Sequence, residues 1–405
     1  MGNFRGFAMK LAALAALLVA SSITWVAPAT AAVPQVASDE WAPRMNGTAY
    51  VGSELAISQV QHFNPCPTEE APNGFVLEWL SNGVPLPAER QQGHSLKLIP
   101  EDRGNRISFN ARGTCPEAKA YRSAETPPVA ASNRATGWTG RGNFELLGRT
   151  HNGDLVLYPR TYEPVWSVFC GQGIQCMSYK GSWDEPRLVG SGWNIFDIVF
   201  SPGDFDGDGF NDVLGRDGAG NLRHYPGDGE GGWLAPRPVG SGWQIFDSIV
   251  GAGDFSGDGN NDVLARDRAG KLFLYPGDGH GGWLPPSQVG SGWQIFNKIV
   301  APGNTNGDGG VDIFARDNRG VLHQYPTDGH GGWKAPTVVG PGWEGMTEIN
   351  GAGRFSRINS PSQESNDVTA VDQEGNLVLY PGWGQSGLYN AGQIGSGWNT
   401  FKNLI

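Results

Sequence analysis

Asp204, Asp206 and Asp208 stand at alternate positions, with Phe210 at position 7 and Asp212 at position 9 of one short stretch, GDFDGDGFNDVLGRD. Alternate side chains in a tight loop converge on one point. Gly207 and Gly209 permit the turn, and the Phe210 carbonyl offers a further oxygen. Four or five hard oxygens completed by water satisfy Ca²⁺. The pattern returns as Asp254, Ser256, Asp258, Asn260 and Asp262, and again as Asn304, Asn306, Asp308, Gly310 and Asp312. An EF-hand would need Glu at position 12, where Gly215 stands, and flanking helices. The flanks here, DVLGRD and LRHYP, read as strands. Asp, Asn and Gly are also common turn residues, but three loops with the same odd-position oxygens favour calcium. The carboxylates number four, three and two in successive loops, so calcium affinity is expected to fall in that order.

The loops recur every 50 residues inside a larger unit, roughly GSGWxIFxxIVxxGDFxGDGxNDVLxRDxxGxLxxYPGDGxGGW. A period of this size marks a solenoid, an array or a propeller. LxxYP ends at Pro159, Pro226, Pro276, Pro326 and Pro381, and Gly-Trp recurs at Trp193, Trp243, Trp293, Trp343 and Trp398, so both counters give five units. The first unit lacks a leading aromatic strand, whereas the chain ends on one, GSGWNTFKNLI. That overlap would close a ring. Each unit is then one four-stranded blade of a five-bladed β-propeller. In the first unit the Asp loop is deleted before Glu145, and in the fifth Arg354, Ser356 and Arg357 replace its acids, so metal is expected in the three middle blades only.

The Asp loop and its repeat resemble the FG-GAP (or VCBS) family, which includes the propellers of integrin α-subunits. The five-unit count and the GWNTF strand are also similar to five-bladed tachylectin-type lectins. These likenesses imply a calcium-stabilised propeller and, for the lectins, carbohydrate as partner.

The aromatic residues admit two roles. The Gly-Trp set opens a β-branched strand and reads as core between blades. Trp233, Trp283 and Trp333 follow GDG-x-GG near turns, where an indole face can either stack on a sugar ring or pack inside. His280 and His330 share that loop and read as solvated. Catalysis finds little support: there is no G-x-S-x-G and no H-E-x-x-H. Five-bladed glycosidases use unique acids in the central tunnel, whereas here most acids belong to the repeat. Glu145, Glu185, Glu344 and Glu348 are the exceptions. A glycoside hydrolase is therefore the alternative, with acids expected on the innermost strands; a protein-binding surface adhesin is a third reading.

The N-terminal part differs. Arg5 and Lys10 precede the apolar run Leu11–Ala20, and Ala29-Thr30-Ala31 has a small-x-small cleavage pattern, so residues 1–31 read as a secretory leader and the protein as secreted. No later segment has the length of a membrane span. Residues 40–125 show short alternating runs between Gly and Pro turns, as in a small β-sandwich. They resemble bacterial immunoglobulin-like domains at Gly47-Thr48, Val51-Gly52, Trp79, Asn82-Gly83 and Glu101–Gly104. On that resemblance Cys66 and Cys115 lie in loops at one end of the sandwich and can pair, while Cys170 and Cys176 would clip a short insertion. A linker, 126–137, leads to the propeller, 138–405. The net charge of −11 argues against nucleic acid as partner. The expectation is an all-β, monomeric, secreted binding protein for carbohydrate or cell-wall glycan.

Overall fold

Each repeat alternates apolar and polar residues over short runs broken by Gly, Pro and Asp, a pattern that suits strands in hairpins rather than helices. The computed structural model describes residues 43–405 apart from 48, 52–53, 59–74, 92, 115–119, 131–136, 140–144, 168–175, 307, 309, 354, 357–365 and 383–386. The leader, Cys66, Cys115, Cys170 and the side chain of Cys176 lie outside the described residues, and so do Arg354 and Arg357. Among the described residues the fold is all-β with short 3₁₀ turns. Among the described residues no helix is long and apolar enough to cross a membrane.

Five four-stranded antiparallel sheets form a propeller. Blade 2 runs Phe196–Gly203, Asp212–Asp217, Leu222–Tyr225 and Arg237–Gly240 from the axis outward. Blade 3 begins at Phe246–Gly253, blade 4 at Phe296–Gly303 and blade 5 at Met346–Gly353, in the same order. Blade 1 contributes Leu146–Thr150, Leu155–Tyr158 and Arg187–Gly190, and its innermost strand is the C-terminal Phe401–Leu404. That strand pairs antiparallel with Leu146–Thr150, matching Phe401 to Thr150 and Leu404 to Gly148. The ring is thus closed by backbone hydrogen bonds between the two ends of the repeat region, leaving blade 1 no bare inner edge. Before the propeller, the sheets Arg44–Asn46, Glu54–Ser58, Ser95–Lys97 and Phe75–Ser81, Val84–Pro85, Ile107–Gly113, Ala120–Arg122 pack as a sandwich around Trp79, Phe109, Leu55 and Leu98.

The propeller core lies between blades. At the junction of blades 2 and 3, the ring of Trp243 lies 4.5 Å from Tyr275 and 5.5 Å from Trp283 by centroid. The same trio recurs as Trp193, Tyr225, Trp233 and as Trp293, Tyr325, Trp333. An arginine pins each of four junctions. Arg149, Arg216, Arg266 and Arg316 each donate from Nη1 to two carbonyls of the following blade, such as Trp243 O and Phe246 O for Arg216. Val371 takes that place in blade 5. The hydrogen bonds of Arg149, Arg216 and Arg266 are buried, which makes these charged-donor bonds worth more than the same bonds in water, and those of Arg316 are partly buried.

Candidate metal centre

The blade 2 loop joins the two inner strands, so its ends are fixed by the sheet while its middle turns outward. Asp204 is buried and folds the turn around itself: Gly207 N donates to its Oδ1 at 2.6 Å and Gly209 N to its Oδ2 at 3.1 Å. Both glycines sit in the left-handed region, at φ 84° and 93°, where a β-carbon is disfavoured. Asp208 Oδ1 accepts from Phe210 N. One oxygen each of Asp204, Asp206 and Asp208 lies within 4.8 Å of the others. Asp206 Oδ1 is buried and accepts no hydrogen bond. Burial and the neighbouring carboxylates push Asp204 up to about 7, and burial with the charge of Asp206 pushes Asp208 up to about 6. Converging, underpartnered carboxylates that resist ionising alone are what a bound cation would relieve, so the residues fit Ca²⁺.

Position 9 has a second task. Asp212 Oδ2 accepts from Phe205 N and Oδ1 from Gly227 N, tying the start of the loop to the third strand. Asp262 does the same with Ser256 N and Gly277 N, and Asp367 with Ser356 N and Gly382 N. Blade 1 keeps Glu145 there, accepting from Trp138 N, Thr139 N and Thr139 Oγ1. The acid therefore persists in blades whose metal loop is gone. It is a clamp on buried backbone donors, which the loop pattern alone does not distinguish from a ligand.

The three loops differ in what meets their acids. In blade 3, Asp254 accepts from Gly257 N and Gly259 N and Asp258 from Asn260 N, while Ser256 Oγ is buried without a partner. Burial, with the nearby carboxylates, pushes Asp254 up to about 6 and Asp262 to about 8. In blade 4 the loop satisfies itself. Asn306 Nδ2 donates to Asp308 Oδ2 and Asp312 Oδ1, Lys334 Nζ reaches Asp308 Oδ2 at 2.7 Å, and Asp308 Oδ1 accepts from Gly310 N. Asn304 offers its carbonyl to Asn366 N. Among the described residues, acids that converge within ligand distance occur in blade 2.

Residues 204–265, spanning the blade 2 loop, its sheet and the blade 3 loop, match the model of the FG-GAP-like repeat. This stretch is an FG-GAP-like repeat. No curated protein matches the chain in sequence. Among solved structures, the BP39L lectin of Burkholderia pseudomallei is similar at 17% identity and a TM-score of 0.36, over 72% of this chain and 82% of that one. A mutant of AofleA from Arthrobotrys oligospora aligns at 13% identity and a TM-score of 0.34, over 74% and 84%. Rhamnogalacturonan lyase YesW aligns at 13% and 0.23, over 87% and 69%.

The tryptophans that follow DG-x-GG bridge blades. The Trp233, Trp283 and Trp333 indoles are partly buried, and each N–H donates to a carbonyl of the preceding blade: Val189, Val239 and Val289. Trp283 also packs on Phe205 and Trp333 on Phe255, each from the neighbouring loop. Trp183 is a fourth member of this set. It donates to Ile394 O across the closing junction and packs on Trp398. Its signal was present in the sequence: it precedes Trp233 by one period, and GSWDEPRLVG parallels GGWLAPRPVG. His280 and His330 are exposed, with only their backbone N–H tied to Asp278 and Asp328.

The axis carries acids on the innermost strands, and each is paired. Asp197 meets Arg216 and Asp247 meets Arg266, both at 2.7 Å, and Glu348 meets Lys298 at 2.7 Å across blades 4 and 5. Burial pushes Asp197 up, but the Arg216 hydrogen bond and charge outweigh it and leave the carboxyl below its ordinary value. A carboxyl held ionised in this way is poorly suited to act as a general acid.

Proposed function

We propose that this chain is an exported, non-enzymatic, calcium-stabilised propeller that binds carbohydrate, of the kind found in cell envelopes, in grooves between its blades. The observation that carries the binding reading is an open cavity of about 950 Å³ between the outer strands of blade 2 and the 278–282 turn of blade 3. Asn221, Arg223, Arg237, Ser241, Asp278 and His280 line it. Several hydrogen-bonding groups on a rigid rim suit hydroxyl-rich ligands, and Trp283 forms the adjacent junction rather than an open stacking face. Export is supported by the leader-like residues 1–31, and a binding role by the pairing of the axial acids with Arg216, Arg266 and Lys298. Calcium would be held by Asp204, Asp206 and Asp208 in blade 2 and by Asp254 and Asp258 in blade 3, neutralising carboxylates that otherwise repel.

Isothermal titration of envelope polysaccharide into the calcium-loaded protein tests this. Heat that is lost in Arg223→Ala with His280→Ala, both exposed, while the melting curve stays unchanged, is the expected result. Binding that ignores both substitutions would overturn the groove, and no binding to any glycan on an array would overturn the carbohydrate reading.

A further inference from the structure

The blade 2 loop holds a side chain that its siblings lack. His224 in the third strand is fully buried, where blade 3 has Leu274 and blade 4 has Gln324. One of its ring nitrogens and one oxygen each of Asp206 and Asp212 lie within 4.8 Å of one another. Two atoms of this trio are buried without a hydrogen-bond partner, His224 Nε2 and Asp206 Oδ1. Nε2 does lie 2.9 Å from Asp212 Oδ2, but out of line for a hydrogen bond, and that oxygen already accepts from Phe205 N. A buried imidazole nitrogen and a buried carboxylate oxygen in one three-residue cluster are not a calcium arrangement, since Ca²⁺ takes oxygen alone. Imidazole with carboxylates suits borderline first-row cations.

We propose that Asp206, Asp212 and His224 form a mixed nitrogen–oxygen site selective for a borderline divalent cation of the Zn²⁺ and Co²⁺ class. The proposal rests on reading these loops as cation sites; in blade 2 the two cations would compete for Asp206, which belongs to both acid clusters. Arg237 fills the place without metal: its Nη2 donates to Asp206 Oδ2 at 2.9 Å and its Nε to His224 Nδ1 at 3.1 Å. Its side chain is 45% exposed, so it can withdraw to solvent. The imidazole proton then moves from Nε2 to Nδ1 through solvent, and the neutral ring binds metal through Nε2 with no net proton loss from the ring. Arg237 is therefore a competitor for the site.

The test uses the full chain with Co²⁺ and Zn²⁺ as probes. Co²⁺ should give visible absorption at one equivalent, which Zn²⁺ displaces. X-ray absorption of the Zn²⁺ form should show one imidazole in the shell. His224→Leu, the residue blade 3 uses, should weaken Co²⁺ binding by more than about a hundredfold, beyond what an outer-shell partner contributes. Arg237→Gln should tighten it. An oxygen-only shell, or Co²⁺ affinity unchanged in His224→Leu, overturns the proposal, and the wild-type shell decides even if that variant fails to fold. The calcium-induced rise in melting temperature, followed through Asp258→Ala, reports the calcium reading separately. Its absence beside a Co²⁺–imidazole site would sink calcium and leave this proposal standing.

Discussion

The loops Asp204–Asp212 in blade 2 and Asn304–Asp312 in blade 4 occupy the same place in the fold and each meets one basic side chain, but that cation faces four carboxylates in blade 2 and two in blade 4. In blade 2, Arg237 reaches Asp206 Oδ2 alone, and Asp206 Oδ1 stays buried with nothing to accept. In blade 4 an amide and a lysine stand where a cation would, with Asn306 and Lys334 both donating to Asp308. Blade 3 has three acids, a serine hydroxyl without a partner and, among the described residues, no ion pair on its loop acids. A repeat can thus keep its loop geometry while exchanging an external ion for an internal one. The geometry survives because the position-9 acid clamps the backbone in every blade, metal loop or not.

The clamp offers the sharpest way to separate geometry from metal. Asp367→Ala in blade 5 would leave two backbone donors, Ser356 N and Gly382 N, without their acceptor. Each buried donor left unpaired costs about 1–3 kcal/mol, so a loss of roughly 3 kcal/mol is expected, equal in calcium and in chelator. A loss that appears only with calcium present would make Asp367 a ligand instead.

Calcium itself should come next in size. At a concentration of about 100 Kd each site adds roughly 2.7 kcal/mol to stability. Thermal melts should show Asp258→Ala erasing part of the calcium-induced rise and Asp308→Ala leaving it nearly intact. If Asp308→Ala costs the larger share, the contrast between the loops is wrong.

The metal-free protein should also lose stability as pH rises. Asp204, Asp254 and Asp262 are held near 7, 6 and 8, mainly by burial, far above an unfolded aspartate. Below about pH 4 both states are protonated and nothing is lost. Between there and about pH 8 the unfolded chain ionises more readily, so stability declines through that window. Melts in chelator at pH 5 and pH 8 should show the fall, and calcium should remove most of it. A metal-free protein more stable at pH 8 than at pH 5 would refute the crowding argument.

The smallest effect tests the internal cation. Lys334 is 43% exposed, so Lys334→Met should change metal-free stability by no more than about 1 kcal/mol. It should nevertheless make blade 4 respond to calcium more strongly, read as an added increment in the calcium-induced melting shift. No added increment would mean that Lys334 does not substitute for the ion.

Much of this was legible in the chain. The fifty-residue period, the two five-fold counters and the aromatic strand at the end of GSGWNTFKNLI announced a ring of five blades closed by its C-terminus. The odd-position oxygens marked the loops. The arginine of each RD pair and the fourth tryptophan, Trp183, were also written at regular spacing, but a spacing does not tell which carbonyl a donor will find.

Local sequence determined the strands, the turns and the oxygen pattern, because those depend on neighbours a few residues apart. Only the tertiary structure decided which groups share each loop's space. Lys334 reaches Asp308, and Arg237 and His224 reach Asp206 and Asp212, from strands and turns laid beside the loop by sheet pairing. The same folding turned Trp233, Trp283 and Trp333 into junctions between blades, because each indole N–H found a carbonyl on the preceding blade. Charge compensation and hydrogen-bond satisfaction act through space, over a few ångströms, and in a propeller the nearest partner in space is often a blade away in sequence.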